Sequence, residues 1–299
     1  MTDGAKPVIG AALAARLVAA QFPQWAHLPV RPVTVSGWDN RTFHLGETMV
    51  VRLPSAAPYA GQAEKERTWL PRLAGALPVA VPAPLGLGAP GQGYPWPWAV
   101  YGWIAGRTAE EAPPEDEARF ARDLGAFLAA LHRIDPAGGP AAGPQNFFRG
   151  GPLSTYDGQV RDALTRLEGR TDMRACRAVW EAALAAGWAG LAVWVHGDFA
   201  PRNLLVDEGR LCGVIDFGQL GVGDPACDLA IAWSFLGEAG RAALREALPL
   251  DEGTWARGRG WALWKALILV SGVARGPARD VAASEATLAA VLADRAAGD

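Results

Sequence analysis

The chain contains little cysteine, and its cysteines are not arranged as a disulfide framework. Three of them, Cys176, Cys212 and Cys227, are spread over 299 residues. Their number is odd, their spacing is wide, and no Cys-x-x-Cys occurs. This usage favours a reduced, cytoplasmic protein in which each thiol is a small buried apolar group.

Long apolar runs and an excess of one charge sign are also missing. The net charge is −3 at pH 7, so the composition gives no support for nucleic-acid binding. No apolar run approaches the length of a membrane span, and the N-terminus lacks the pattern of a signal peptide. We therefore expect a cytoplasmic protein without a membrane or nucleic-acid partner. The sequence leaves the oligomeric state open.

Hydrophobic residues, by contrast, make up half of the chain. A chain of this length and composition is expected to form a large core and two domains or lobes. Hydrophobic periodicity predicts strands with one intervening helix in the first third and mainly helices afterwards. The principal predicted strands are 33–36, 41–45, 48–53 and 97–104, and the principal predicted helices are 9–21, 62–77 and 115–134.

The most specific motif begins at His196-Gly197-Asp198 and ends at Asp216-Phe217-Gly218. Asn203 follows Asp198 by five residues and precedes Asp216 by thirteen. Two β-prone runs flank Glu208-Gly209, a pair typical of a hairpin turn. With that turn, Asn203 and Asp216 are diagonal neighbours on two strands, with backbones roughly 7–8 Å apart.

This set of side chains suits phosphoryl transfer, which needs an oriented hydroxyl and neutralised phosphate charge. Mg²⁺ takes oxygen ligands and usually only one or two carboxylates, a demand that Asp216 and the amide oxygen of Asn203 meet. Asp198 can accept the proton of a substrate hydroxyl, and His196 is the weaker candidate for that base. The alternative interpretation is a hairpin whose aspartates cap nearby backbone groups.

Together with Gly223-Asp224-Pro225-Ala226-Cys227-Asp228, the motif resembles the phosphotransfer centre of the aminoglycoside phosphotransferase family. The resemblance extends over nearly the whole chain and is most specific in residues 196–228. It implies an α+β, protein-kinase-like bilobal fold. Residues 1–103 are then a small β-rich lobe with one crossing helix, which binds the nucleotide and ends in the hinge. Residues 104–299 are a larger, mainly helical lobe with the catalytic loop, the metal site and the acceptor pocket.

The resemblance also implies roles for charged residues. His196, Asp224 and Asp228 are expected to support the catalytic loop. Arg52 is expected to contact the nucleotide phosphates, as a lysine does at this place in protein kinases, since a guanidinium holds phosphate oxygens well. Its expected partner is Glu66, with Glu64 as the competing candidate.

Two further segments are implied to bind the nucleotide. Ser36, Gly37 and Asn40 lie where kinases have a phosphate-covering loop, and an ordinary hairpin turn is the alternative there. Tyr101 and Trp103 align with the hinge, which holds a base mainly through backbone hydrogen bonds, and core packing is the alternative. Recognition by backbone leaves open whether the donor is ATP or GTP.

The expected activity is transfer of the γ-phosphate of ATP or GTP, with Mg²⁺ as cofactor, to a hydroxyl of a small molecule. The resemblance favours an aminoglycoside or related antibiotic as acceptor. A metabolite kinase of the homoserine, choline or sugar type is one alternative, and a kinase-like nucleotide-binding protein without catalysis is another. The acidic candidates for gripping an amine stand in no diagnostic motif; they are Asp157, Glu238, Asp251 and Glu252.

Overall fold

The computed structural model describes residues 8–33, 37 and 39–296. Most of the predicted strand 33–36 therefore lies outside the described residues. The chain forms two compact units. The first unit comprises the residues up to Gly106 together with Gly213–Gly218, and the second comprises Arg107–Cys212 and the residues from Gln219 onward.

The first unit contains an antiparallel five-stranded sheet in the order β1-β2-β3-β5-β4 within its described residues. The strands are β1 (Val30–Pro32), β2 (Asn40–Leu45), β3 (Met49–Pro54), β4 (Pro84–Gly88) and β5 (Trp98–Gly102). Helix α1 (Ala11–Gln21) lies on one face of the sheet, and helix α2 (Gln62–Leu73) falls between β3 and β4 in sequence.

Side-chain alternation along β3 decides which residues enter the core of the first unit. Val51 and Leu53 are fully buried and share a hydrophobic cluster with Leu17 of α1. Because successive side chains of a strand point to opposite faces, Arg52 lies on the face away from that cluster. The strand thus buries its apolar residues against α1 and presents one guanidinium on the other side.

Helix α2 is shorter than the sequence predicts. It was expected to reach residue 77 but ends at Leu73, and a 3-10 turn, Ala74–Ala76, follows. Gly75 and Pro78 explain the early end, since glycine is a weak helix former and the residue before a proline avoids the helical region.

The second unit is mainly helical. Its helices are α3 (Glu117–Arg133), α4 (Asp157–Arg166), α5 (Met173–Ala185), α6 (Ile231–Ser234), α7 (Glu238–Ala247), α8 (Glu252–Val270) and α9 (Ala278–Ala296). Its short strands are β6 (Arg107–Thr108), β7 (Val193–Val195), β8 (Leu204–Asp207), β9 (Arg210–Val214) and β10 (Gly221–Gly223), of which β9 runs on into the first unit. None of the helices in the described part of the chain combines the length and hydropathy that a bilayer span requires.

Two sequence patterns of the second unit correspond closely to observed elements. The predicted helix 115–134 is α3, which begins after Asp116, whose carboxylate accepts a capping hydrogen bond from the Arg119 amide. The turn between β8 and β9 is Glu208-Gly209, with φ angles of 47° and 75°. Two successive positive φ values are characteristic of the tight turns that match strand twist.

A buried ion pair ties the segment after β10 to helix α8. The Arg257 guanidinium donates to both carboxylate oxygens of Asp224, at 2.7 Å and 3.1 Å. The two side chains are only 6% and 5% exposed. Asp224 also caps the 3-10 helix Pro225–Ala230 by accepting from the Ala226 amide. The pair therefore fixes where this segment enters the core.

We predict that Arg257→Met destabilises the protein by about 3–5 kcal/mol, because it leaves the Asp224 carboxylate buried without its partner. The free energy of unfolding from urea titration, followed by tryptophan fluorescence, measures this loss. Arg161→Met is the matched control: its pair with Asp157 is exposed, at 76% for the arginine, and should contribute less than about 1 kcal/mol. Equal losses in the two variants would contradict the prediction.

Candidate active site

The loop that carries Asp198 is held by a buried carboxylate. Asp228 is fully buried, and its two oxygens accept hydrogen bonds from consecutive backbone amides. The His196 amide donates to Oδ2 at 2.7 Å, and the Gly197 amide donates to Oδ1 at 2.8 Å. Charge-assisted bonds of this kind are short and strong. Asp228 thus fixes the backbone just before Asp198.

Two features of the motif set the direction of the loop. Gly197 has a φ of 84°, and a Cβ there would collide with the Gln219 carbonyl, so only glycine is accommodated. His196 is fully buried, and its Nδ1 accepts a hydrogen bond from the Asp198 amide at 3.2 Å. The imidazole therefore lies under the loop and holds the Asp198 backbone.

The Asp198 carboxylate is surrounded by hydrogen-bond donors. The Asn203 amide nitrogen donates to the Asp198 carbonyl oxygen at 2.8 Å and to Oδ2 at 3.3 Å. The Lys265 ammonium of α8 lies 3.4 Å from Oδ1. Burial alone would raise the pKa of Asp198, but Lys265, Arg149 and Arg202 outweigh it and hold that pKa below its ordinary value. Asp198 is therefore an ionised carboxylate at neutral pH, as a proton acceptor requires.

Arg149 is a second cation that acts on Asp198, and its guanidinium lies over aromatic rings. Its guanidinium carbon is 5.1 Å from the Trp261 ring and 5.0 Å from the Trp264 ring. Its Nε donates to the Gln219 side-chain oxygen at 3.0 Å, and Nη1 lies 3.4 Å from the Tyr156 hydroxyl. Arg149 is only 7% exposed, so aromatic faces and neutral oxygens form most of its surroundings.

In the first unit, Arg52 joins two carboxylates. Its Nη1 lies 3.1 Å and 3.2 Å from the oxygens of Glu66, and its Nη2 lies 2.6 Å from Oδ1 of Asp216. Glu66 also accepts a short hydrogen bond from the Tyr101 hydroxyl. Glu64, the competing partner in the sequence, is exposed. Burial disfavours the Arg52 charge, but the two carboxylates more than offset this and raise its pKa.

Asp216 itself has an unusual backbone. Its φ of 64° lies in the left-handed region that non-glycine residues rarely adopt. Strained residues of this kind occur preferentially at functional sites. At Gly218, two residues later, a Cβ would collide with the end of the Gln62 side chain, which would have to shift. The Asp-Phe-Gly sequence is thus fitted closely against α2.

The residues predicted to contact the nucleotide differ in how deeply they are buried in the first unit. Asn40 is buried and donates to the Gln62 side chain at 3.2 Å, whereas Gly37 is exposed. Tyr101 is buried in β5, while Trp103 is 43% exposed and its amide donates to the Thr48 carbonyl at 2.8 Å. Ser36 lies outside the described residues.

The acidic residues considered for binding an amine either form hydrogen bonds or ion pairs within the protein or are exposed to solvent. Asp157 accepts from Arg161 at 2.7 Å and from the Trp180 indole at 2.9 Å. Asp251 caps α8 through the Thr254 amide, and Glu252 pairs with Arg245 at 2.9 Å. Glu238 lies exposed in the first turn of α7. The described contacts thus give Asp157, Asp251 and Glu252 structural roles.

The chemistry of the predicted metal ligands fits Mg²⁺. Among the described residues there is no group of three or more histidine, cysteine and acidic side chains that could hold a metal. The Asn203 amide nitrogen is committed to Asp198, so its oxygen is the atom of that amide available to a cation. Asp216 contacts Arg52 through Oδ1, and Oδ2 is its other carboxylate oxygen. Carboxylate and amide oxygens are ligand types that Mg²⁺ accepts.

Three side chains near these groups were not predicted from the sequence: Lys265, Arg149 and Gln62. Lys265 and Asp198 are 67 residues apart, and no local pattern connects them. A compositional signal does exist, because Lys265 is one of three lysines among 28 basic residues. A lysine retained within an apolar helix of an arginine-rich chain is a candidate for a specific role.

Comparison with solved structures identifies the fold class. The GDP complex of aminoglycoside 2'-phosphotransferase-IIIa matches with a TM-score of 0.71 and 18% identity, over 96% of this chain and 100% of the other. A macrolide 2'-phosphotransferase from Brachybacterium faecium matches with a TM-score of 0.58 and 25% identity, over 93% and 97%. These matches confirm the predicted α+β, protein-kinase-like fold. The chain belongs to the phosphotransferase enzyme family, whose model matches residues 30–262.

Curated relatives match over shorter stretches. An aminoglycoside 3'-phosphotransferase of Escherichia coli is 33% identical over 141 residues, 47% of this chain and 51% of the relative. An uncharacterized protein of Bacillus subtilis (strain 168) is 30% identical over 148 residues, 46% and 44% of the two chains. The chain thus spans about half the length of the curated relatives it matches. The family predicted from residues 196–228 is confirmed.

We predict that Asp228→Ala destabilises the protein by about 2–6 kcal/mol, because it leaves two buried amides without acceptors and each costs about 1–3 kcal/mol. Chemical denaturation of purified variants measures the change. Asp162→Ala removes a carboxylate of similar size from an exposed pair on α4 and should cost less than about 1 kcal/mol. A loss below 1 kcal/mol for Asp228→Ala would show that the loop does not depend on this carboxylate.

Proposed function

We propose that this protein is a nucleotide-dependent O-phosphotransferase that acts on a small-molecule alcohol. The observation that carries the proposal is the Asp198 loop. The Asp198 carboxylate is ionised, partly exposed and bonded to Asn203, and the loop backbone is held by His196 and Asp228. These are the properties of a positioned general base. Membership of the phosphotransferase enzyme family supports the same activity.

The reaction requires one bond to form and one to break. The acceptor oxygen attacks the γ-phosphorus, the bond from that phosphorus to the β,γ-bridging oxygen breaks, and a nucleoside diphosphate leaves. The hydroxyl proton passes to the Asp198 carboxylate as the new bond forms. The protein's task in such a reaction is mainly positioning and charge stabilisation.

Asp216 and Asn203 are the proposed Mg²⁺ ligands. A bound Mg²⁺ neutralises phosphate charge and orients the triphosphate. Arg52 is the proposed phosphate contact of the first unit, and its pairing with Glu66 supports this role because the pair holds the guanidinium in one orientation. Solved relatives include a GDP complex and an ADP-bound structure, so we propose ATP or GTP as the donor.

The acceptor of the reaction has two candidate classes. The names of the relatives favour an aminoglycoside or related antibiotic. A metabolite kinase is the second candidate, and the Lys265 ammonium beside Asp198 favours it. A cation at that place does not suit an acceptor that itself carries several ammonium groups.

We predict that Asp198→Asn lowers kcat by about 10²–10⁴-fold, the usual contribution of a general base. Affinity for the Mg-nucleotide should change little, because the substitution preserves shape and removes only the proton acceptor. Nucleotide consumption in the presence of an acceptor gives kcat, and calorimetry gives nucleotide affinity. Asp162→Asn, on an exposed face of α4, serves as the control. Wild-type turnover in Asp198→Asn would exclude this residue as the base.

Asp216→Ala should act earlier in the reaction, on metal-dependent nucleotide binding. We expect the enhancement of nucleotide affinity by Mg²⁺ to be largely lost, since a principal oxygen ligand is removed. Calorimetric titrations with nucleotide, at several Mg²⁺ concentrations and in EDTA, separate metal-dependent from metal-independent binding. An unchanged Mg²⁺ dependence would count against Asp216 as a ligand. Nucleotide binding without turnover of any acceptor in the wild type would favour a non-catalytic binding protein.

A further inference from the structure

The charged groups that act on Asp198 most strongly are basic. Lys265 lies 3.4 Å from its carboxylate, and Arg149 and Arg202 also lower its pKa. Arg149 acts on Lys265 as well, and the repulsion lowers the pKa of that ammonium in addition to the larger effect of burial. The Asp198 carboxylate therefore faces Lys265 at contact distance and lies in the field of Arg149. The fully buried Asp228 also acts on Lys265, from below the loop, so the cations are the charged groups of this cluster nearest to the exposed side of Asp198.

Arg149 is the less neutralised of the two cations, since none of the carboxylates in the described residues forms an ion pair with it. Its partners are the Gln219 oxygen, the Tyr156 hydroxyl and aromatic rings, and no ion pair found among the described residues includes it. A buried charge is costly unless it is paired. The Tyr156 and Trp264 rings, stacked at 3.8 Å, support the guanidinium but do not neutralise it.

The solvent exposure of Lys265, Asp198 and Arg149 indicates which of them a bound molecule would contact directly. The side chains of Lys265 and Asp198 are 28% and 30% exposed, so solvent reaches both. Arg149 lies deeper. A molecule that presents a hydroxyl to Asp198 therefore meets the Lys265 ammonium at contact distance and the field of Arg149 behind it.

We infer that Lys265, with Arg149 behind it, forms an oxyanion-binding subsite beside Asp198, and that the acceptor is an alcohol carrying a carboxylate or phosphate close to the reacting hydroxyl. The inference rests on the proposed function and specifies its acceptor class. An oxyanion at Lys265 makes a charge-assisted hydrogen bond and adds negative charge near Arg149, which belongs to no ion pair of the described residues. An ammonium at the same place is repelled, so polyamines are selected against.

A purely structural role of Lys265 makes a different prediction. If the ammonium only oriented the Asp198 carboxylate, its removal would lower turnover of every acceptor by the same factor. If it binds the acceptor, its removal changes the preference between acceptors of opposite charge. The ratio of kcat/KM values for matched acceptors therefore separates the two roles.

The test uses the full chain with Mg²⁺ and ATP or GTP. Glucuronate, glucose and glucosamine share a pyranose ring and differ in charge, and glycerate, glycerol phosphate and kanamycin extend the two extremes. We expect at least one oxyanionic alcohol to be turned over, with a higher kcat/KM than its neutral or cationic counterpart. Preference of the wild-type protein for glucosamine or kanamycin would overturn the inference while leaving the phosphotransferase activity standing.

Lys265→Met removes the charge and keeps much of the side-chain length. We expect it to raise the KM for the oxyanionic acceptor about 10- to 100-fold, the range for hydrogen bonds to charged groups, with a smaller change in kcat. Lys265→Arg should recover part of the loss, and Arg166→Met, a cation on an exposed face of α4, should have no effect. An unchanged ratio of anionic to cationic kcat/KM in Lys265→Met would overturn the assignment.

Binding measurements separate this inference from the proposed function. Calorimetric titration with the same oxyanionic alcohols and with inorganic phosphate, on wild type and Lys265→Met, requires no turnover. Binding that Lys265→Met loses, without turnover of any acceptor, would support the subsite and contradict the phosphotransferase. Absence of both binding and turnover for every oxyanion would overturn the subsite as well.

Discussion

The position of Asp198 depends on one buried carboxylate, that of Asp228. Its two oxygens accept hydrogen bonds from the backbone amides of His196 and Gly197. Hydrogen bonds to a carboxylate are stronger than those to a neutral acceptor. The arrangement demands a glycine at position 197, where the positive φ and the nearby Gln219 carbonyl exclude a side chain. His196 then fixes the next amide through Nδ1. Asp198 is thus positioned by groups that lie behind the loop, which explains why residues on both sides of it belong to the motif.

In the first unit, the Arg52 side chain is also held in a fixed position, but by ion pairs and not by bonds to backbone amides. Strand alternation places Val51 and Leu53 in the core and leaves Arg52 on the opposite face. The carboxylates of Glu66 and Asp216 both contact the Arg52 guanidinium, and the Tyr101 hydroxyl donates to Glu66. A guanidinium at 12% exposure would be costly alone, and Glu66 at 2% exposure equally so. Each charge is therefore tolerated because of the other, and the pair holds the guanidinium in one orientation.

The sequence predicted those parts of the molecule that follow from local rules. Helix α3 follows from the spacing of its apolar residues, and the hairpin turn follows from the glycine of Glu208-Gly209, since glycine adopts positive φ values readily. Glu66 was preferred over Glu64 as the partner of Arg52, and the structure shows that pair. Lys265 and Arg149 could not be predicted in the same way, because their contacts depend on the packing of α8 and of the loop before α4. No spacing rule connects residues that meet only through tertiary structure.

The difference between motif residues and residues that meet only through tertiary structure limits what family membership says about the acceptor. The groups that hold the loop, Asp228 and His196, act mainly on backbone amides, and backbone is common to any sequence with this fold. The groups that an acceptor would meet are side chains of helix α8 and of the region around Arg149, where a single substitution changes the sign of the local charge. A carboxylate at position 265 would favour ammonium-bearing acceptors, whereas the lysine present favours oxyanions. The reaction class and the acceptor class are therefore encoded in different residues, and only the first is contained in the motif.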